Sequence, residues 1–410
     1  MKARGVHLQY SFETDGQRGA VLHNPLFDLL SAVHEHGSIQ HAAKAMGASY
    51  RHVWGLLKRW ELVMGEPLVT WAQGQPARLT PFADRLLWAE KRARTRLTPH
   101  IEALRAELEH VLAEALDGSQ HVLTVFASHD LALPLLRDLA SAAHGLHIEL
   151  CFVGSVDALA ALAQGRCLVA GFHVPPLAGG SAQFAGAMKP LLKPGVHKLI
   201  GCVRRTQGLM VRPGNPLRLQ GLADLLAARG ADTGVDADPD AQAVTGPGAH
   251  SASASARFIN RQPGSGTRLL MDHLLAEQGL APADIPGYFN PPESSHLAVA
   301  AALASGVGDV GPGIEAAAAQ FGLDFIPLIA EDYYLVCLKD TLDHPAVLKL
   351  RQALESPAWP AALTALPGYT PARSGKVLSL TQALPWWHFR VAKPAAAVSA
   401  AAPNRGGATA

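Results

Sequence analysis

The chain has 410 residues, 49% of them hydrophobic and 17% charged, and its 35 basic side chains offset 34 acidic ones to a net charge of +1. That length exceeds one ordinary core and fits a small domain plus a larger one, and the composition excludes a chain too polar to fold. Near-neutrality excludes a globally basic nucleic-acid binder, so any such contact has to come from a local patch.

The opening MKARGVHLQYSFETDGQ lacks the apolar core of a signal peptide, and no stretch approaches the length and apolarity of a membrane span, so the cytoplasm is the expected location. Residues 24–96 are dense in basic side chains and hold four of the seven tryptophans. Within them LFDLLSAVHEH predicts an amphipathic helix ending at Gly37. Ser38 can cap a second helix, IQHAAKAM, which stops at Gly47, the residue best suited to a left-handed C-cap. Ser49 can cap a third, YRHVWGLLKRWELVM, and the short Gly-containing turn before it is the signature of a helix-turn-helix.

On the third helix Val53, Leu56, Leu57 and Trp60 share one face and are expected to bury, leaving Tyr50, Arg51, His52, Gly55, Lys58 and Arg59 exposed. A basic, hydrogen-bonding face with one Gly permitting close approach suits the DNA major groove and its flanking phosphates. A solvated helix face would look the same in isolation; three capped helices at this spacing decide for DNA. PLVTWAQGQPARLTPF then reads as strand, polar turn, strand and a helix begun by Thr80-Pro81, a wing with Gln73, Gln75 and Arg78 placed to touch backbone or minor groove. The expected DNA contacts are Ser38, Ser49, Tyr50, Arg51, His52, Lys58, Arg59, Gln75 and Arg78. The order GSI–AA–MG–SY, VWGLLKRWE, GEPLV and LTPF resembles the winged helix-turn-helix of LysR-type regulators over roughly residues 22–95, within an expected domain of residues 22–96, and most closely the branch of molybdate-responsive regulators. Where that family usually carries a wing arginine this chain has Trp71 or Ala72.

Residues 97–116 place Leu97, Ile101, Leu104, Leu108 and Val111 at the alternating spacing of a helix seam. Residues 97–118 are therefore a linker or dimerisation helix, its seam meeting either another copy or its own domain. Thr98-Pro99 looks like an N-cap followed by Pro at the first helical position, so a fresh helix is expected there. From His121 onward HVLTVFAS, HIELCFVGS and CLVAGFH read as buried parallel strands alternating with helices, an α/β domain over residues 119–385. Residues 231–256 read as a flexible insertion and 386–410 as a disordered tail. Cys151, Cys167, Cys202 and Cys337 form no CxxC pair, which argues against a structural zinc site or a disulfide framework and reads them as small hydrophobes in a reducing compartment.

Small polar residues recur where strands feed helices: Ser128-His129-Asp130, Gly154-Ser155, His173, Arg261 to Arg268 after a strand RFIN, and Ser294-Ser295-His296. Several helix N-termini at one edge of an α/β sheet offer N–H groups, hydroxyls and positive dipole ends to an anion without a metal. Ser and Thr at such junctions are also ordinary N-caps; the GSGT segment at Gly264–Thr267 stands out because its glycines let backbone approach a ligand. FINRQPGSGTRLLMDHLL and SSHLAVAAALASGVGDVGPGIEAAAAQFGLDFIPL resemble the periplasmic-binding-protein-like domain related to tungstate- and molybdate-binding receptors. The resemblance implies two lobes closing on a cleft and, carried over, the ligand residues Ser128, Ser155, Arg261, Gly264, Ser265, Gly266, Thr267 and His296. Those receptors have more Ser/Thr in the first loop than the Ser-His-Asp found here, which leaves room for a larger ligand. His129, His173 and His296 either line the pocket or are hydrogen-bonded structural residues.

GVGDVG at 306–311 follows an Ala-rich helix rather than a strand, so it is not a dinucleotide site. No GxSxG elbow, HExxH or Walker A loop occurs, and neither catalytic nor metal-binding residues are expected. The expectation is a non-enzymatic, DNA-binding transcriptional regulator of mixed class: an α-rich winged helix-turn-helix followed by a two-lobed α/β ligand sensor. Its expected partners are double-stranded DNA, a small anion and further copies of itself as homodimer or homotetramer, with no membrane. Beyond that effector no cofactor is expected. Molybdate or tungstate leads for the anion, ahead of a molybdopterin-type cofactor or another small anion. A cytoplasmic carrier of molybdenum species is the alternative from another class; the basic helix-turn-helix speaks against it.

Overall fold

The computed structural model describes residues 24–71, 75–116, 121–177, 182–227 and 256–387. Gln73 of the wing, the expected insertion short of Ala256 and the expected tail after Trp387 lie outside these. Helix α1 (Pro25–His36) starts on Asn24, whose Oδ1 accepts from the Leu26 N–H at 3.0 Å, and ends at Gly37 with φ 58°. Ser38 caps α2 (Ile39–Ala45), Gly47 turns the chain at φ 62°, and Ser49 caps α3 (Tyr50–Met64). A left-handed residue at each of these two corners is where glycine costs least.

Leu26, Leu29, Leu30 and Val33 meet Ala42, Val53, Leu57, Leu68 and Leu87 in one core. Only Val53 and Leu57 of the expected apolar face of α3 are fully buried; Leu56 and Trp60 are half-buried against the edge of the same core. Strands β1 (Val69–Thr70) and β2 (Arg78–Leu79) pair antiparallel as the wing. Thr80 closes it, accepting from the Ala83 N–H at 3.2 Å and donating to the Pro67 carbonyl at 2.8 Å.

No fresh helix begins at Thr98-Pro99. Helix α4 (Pro81–Leu116) is one 36-residue element with Pro99 inside it. Proline removes one ladder donor and crowds the carbonyl a turn back. Here the hydroxyls of Thr95 and Thr98 donate to the Arg92 and Arg94 carbonyls at 2.9 and 2.8 Å, adding bonds around the interruption. Leu97 and Leu104 remain exposed, while α4 packs on the strand Leu146–Phe152 and the helix His296–Ala304 of its own chain.

The second unit alternates β3 (His121–Ala127), α5 (Ala132–His144), β4 (Leu146–Phe152), α6 (Ser155–Ala163), β5 (Val169–Val174) and α7 (Ala182–Met188). It continues through β6 (His197–Val211), α8 (Asp224–Ala227), α9 (Gly266–Glu277), α10 (His296–Ala304), β7 (Val310–Ile314), α11 (Glu315–Gln320) and β8 (Asp324–Leu338). Helices α12 (Pro345–Glu355) and α13 (Ala358–Leu363), strands β9 (Tyr369–Pro371) and β10 (Val377–Leu378), and α14 (Leu380–Ala383) complete it. The strand order is β10-β6-β8-β5-β3-β4, with β7 and β9 also on β6.

The sheet is mixed rather than parallel. Only β4, β3 and β5 run parallel; β8 is antiparallel to both β5 and β6. Strands β6 and β8, 15 residues each, carry the chain out to a second lobe and back, and an outward and a returning strand that pair must be antiparallel. The expected strand RFIN reduces to a single bridge, Phe258 to Val310. Three residues on, Arg261 bridges Glu293 instead, so neither pairing lasts long enough to make a strand.

One face of the sheet buries Leu123, Val125, Leu133, Ile148, Leu350 and Trp359; the other buries Leu162, Phe172, Met188, Tyr334 and Trp386. Trp386 lies within that core, past the expected domain end at residue 385. Leu209, Val211, Phe258, Met271, Tyr288 and Val310 fill the second lobe. Cys167, Cys202 and Cys337 are buried and Cys151 is half-buried, and none of the four is in a disulfide.

Candidate ligand cavity and DNA-facing helix

Where β6 and β8 cross between the lobes, a cavity of about 390 Å³ opens. The eight residues Ser128, Ser155, Arg261, Gly264, Ser265, Gly266, Thr267 and His296 all line it. They come from four separate stretches of chain, which the fold brings to the ends of β3 and β4 and the starts of α6, α9 and α10. Three helices of at least nine residues begin on it. Helix α9 is capped by Ser265 and α10 by Ser295, but Gly154 gives α6 no side-chain cap, so its first N–H groups remain open to a ligand oxygen.

Arg261 is the charged residue of this set and is buried at 6% exposure. Its Nη2 donates to the Ser294 carbonyl at 3.0 Å and its Nε to Gln262 Oε1 at 3.4 Å; no carboxylate pairs with it among the described residues. Burial, and then the nearby Arg205 charge, push its pKa below the usual guanidinium range. A buried cation without a counter-charge is the electrostatic statement of an anion site.

Beneath it lies a closed ionic network. Arg205 donates to Glu331 and Asp130, both 2% exposed or less, and Gln207 Nε2 donates to Glu331 at 2.9 Å and to Thr267 Oγ1 at 3.0 Å. Burial alone would raise the Asp130 carboxyl, but the Arg205 charge and the His173 hydrogen bond outweigh it and hold the group far below the carboxylate range. Since Asp130 accepts, His173 Nε2 carries the proton (3.0 Å) and His173 Nδ1 accepts from the Ser128 hydroxyl (2.9 Å). The Ser128 hydrogen is therefore spent inward, and Ser128 offers the cavity only lone pairs. Ser265 accepts one bond from protein, from the Arg268 N–H, and keeps its hydrogen, whereas the Thr267 hydroxyl accepts from Gln207 and also meets His296 Nε2 at 3.4 Å.

The three histidines divide. His173 belongs to the network. Burial, ahead of the Arg261 charge, lowers His129 to about 4 and His296 well below its ordinary value, so both line the cavity as neutral rings. His129 packs on Phe152 with centroids 4.8 Å apart, giving the cavity an aromatic patch. Arg205, Glu331, Pro99 and His100 line it too and were not read from sequence. The only signal for the first two is a charge pair inside the long apolar runs LIGCVRRTQGLMV and IAEDYYLVCL.

On α3, Tyr50, Arg51, His52, Gly55, Lys58 and Arg59 are all exposed, and Gln75 and Arg78 are exposed on the wing. Ser38 and Ser49 serve as caps, their hydroxyls accepting from His41 and His52 at 3.4 and 3.2 Å. Lys58 is not a free cation: it pairs with Glu61 at 2.6 Å and lies 4.8 Å from the Trp54 ring and 5.4 Å from that of Trp71. Tyr50 stacks on Trp54, and Trp71 meets Trp54 edge-on at 4.9 Å. Arg51 and Arg59 have no ion pair among the described residues.

Residues 26–84 match the model for bacterial regulatory helix-turn-helix proteins of the lysR family, and residues 136–355 match the PBP superfamily domain. The chain is 33% identical over 227 residues to the uncharacterized protein YvgK of Bacillus subtilis (strain 168), covering 55% of this chain and 64% of YvgK. It is 34% identical over 112 residues to an uncharacterized protein from the ferredoxin 2Fe-2S gene 5' region of Clostridium pasteurianum, 27% of this chain and 98% of that one. Among solved structures, an H2O2-bound OxyR variant of Corynebacterium glutamicum aligns over 85% of this chain and 96% of its own at 14% identity, TM-score 0.38. Full-length LysG of the same organism, with bound effector Arg, aligns over 84% and 99% at 19% identity, TM-score 0.34.

Proposed function

The chain belongs to the PBP superfamily domain family and carries a lysR-family helix-turn-helix at its N-terminus, and from that premise we propose that it is a cytoplasmic one-component transcription regulator that senses a small anion. The observation that carries this reading is Arg261, a buried guanidinium with no carboxylate partner among the described residues, beside the uncapped start of α6 and the free hydroxyl of Ser265. The exposed face of α3, led by Arg51 and Arg59, is the DNA contact, with Gln75 and Arg78 of the wing beside it. Two or four copies bind two half-sites.

Molybdate or tungstate is the first effector to test. Purified protein is melted in molybdate, tungstate, sulfate, phosphate and buffer. A ligand at about 100 times its Kd adds about 2.7 kcal/mol, a rise of several degrees. A shift with molybdate or tungstate and none with sulfate supports this effector; no shift with any of the four removes the bare oxyanions. A second reading rests on the cavity itself. About 390 Å³ with a Phe152–His129 wall suits an organic anion with a planar part, a molybdopterin-type compound included. A pterin phosphate that raises the melting temperature where the oxyanions do not would favour it.

A further inference from the structure

The cavity is not built by the second unit alone. Pro99 and His100, which line it, belong to α4, the helix that runs without a break from the wing. Three residues before Pro99, Arg96 makes a bidentate pair with Glu293, Nε to Oε2 at 2.9 Å and Nη2 to Oε1 at 2.5 Å. The Glu293 side chain is only 8% exposed, and Glu293 sits on the segment that holds the anion-facing charge: it bridges Arg261, its N–H donates to the Asn260 carbonyl at 2.8 Å, and its carbonyl accepts from Gln262 at 3.2 Å. The next residue, Ser294, receives the Arg261 guanidinium, and the one after caps α10. One short segment thus grips α4 on one side and orients Arg261 on the other.

Resting on the reading of this cavity as an anion site, we infer that α4 is a wall of that site: Pro99 and His100 face the bound anion, and Arg96 clamps them there through Glu293. The ligand then touches the helix that carries the DNA-binding unit, and no relay through the sheet is needed for its arrival to be felt there. The site is incomplete without α4, and His100 is a ligand-contacting residue.

The test needs no knowledge of the effector. In full-length protein carrying Cys151→Ser, a cysteine is placed at His100→Cys or, as a control on the Arg261 side of the cavity, at Ser294→Cys. Each is reacted at low salt with an anionic sulfonatoethyl and a cationic trimethylammonioethyl methanethiosulfonate. Asp157 and Glu331 line the cavity beside Arg205 and Arg261; the local positive potential of Arg261, which no carboxylate pairs among the described residues, concentrates anions by about tenfold, so the anionic reagent reacts faster at both positions by about that factor. Arg261→Gln removes the preference at both. Glu293→Gln, which frees α4, removes it at position 100 and leaves it at 294. An anion preference at 294 without one at 100 overturns the α4 wall while the anion site stands. A preference at neither position overturns the anion site itself. Identical behaviour at position 100 with and without Glu293→Gln overturns the clamp.

Discussion

Arg261 and His129 make opposite demands of the same cavity. The guanidinium keeps its charge against burial, so Arg261→Gln relieves desolvation while removing the anion partner. The variant is expected to melt no lower than wild type in buffer and to lose the anion-induced rise; a retained rise would place the anion elsewhere. His129 is held neutral, with its pKa near 4 against an unperturbed value of 6.5. Between those values the unfolded chain binds the extra proton and the folded chain does not, so stability falls as pH drops from about 6.5 to about 4. At about 1.4 kcal/mol per pKa unit the loss at the lower end approaches 3 kcal/mol from this ring alone. Melting curves from pH 7 to 4.5 should show the decline, blunted in His129→Gln. Asp130 carries a different burden. Asp130→Asn leaves Arg205 and His173 short of a carboxylate in the interior, which costs about 3–5 kcal/mol in denaturant titration.

At the scale of elements, α3 separates residues that look alike. Arg51 is exposed and has no ion pair among the described residues, whereas Lys58 is committed to Glu61, Trp54 and Trp71. Arg51→Ala is expected to lower the slope of log affinity against log salt by about one in DNA titrations and leave the melting temperature unchanged. Lys58→Ala should disturb the wing as well, and a melting temperature equal to wild type would show that the aromatic platform does not need it. The three helices were legible because caps and glycines are local signals: Ser38, Ser49, Gly37 and Gly47 act within four residues of themselves. Thr98-Pro99 misled for the same reason. A cap-like pair was read locally, whereas threonine back-bonds and packing on β4 and α10 carry the helix through it.

For the whole molecule, the continuous α4 runs from the wing to the cavity wall. With molybdate as probe, saturation should change DNA affinity by about 5- to 150-fold, and saturating DNA should change molybdate affinity by the same factor, because linkage is reciprocal. Titrations in both orders check this, and a factor of one in both would show that the two sites are not coupled. Glu293→Gln should weaken the coupling more than it weakens either binding step.

The residues of the helix-turn-helix and eight of those that line the cavity could be named from sequence, since they lie at caps, at a glycine pair or at strand-to-helix junctions and the family resemblance points to the same segments. What only the tertiary structure decided is which of their hydrogens and charges are free. Ser128 looked like a ligand donor and spends its hydrogen on His173; Lys58 looked like a phosphate contact and is already paired. Arg205 and Glu331 lie 126 residues apart and meet only because β6 and β8 are in register. Sequence carries the local preferences of each segment; partner identity across long loops depends on how strands pair and lobes meet, and that is settled by packing alone.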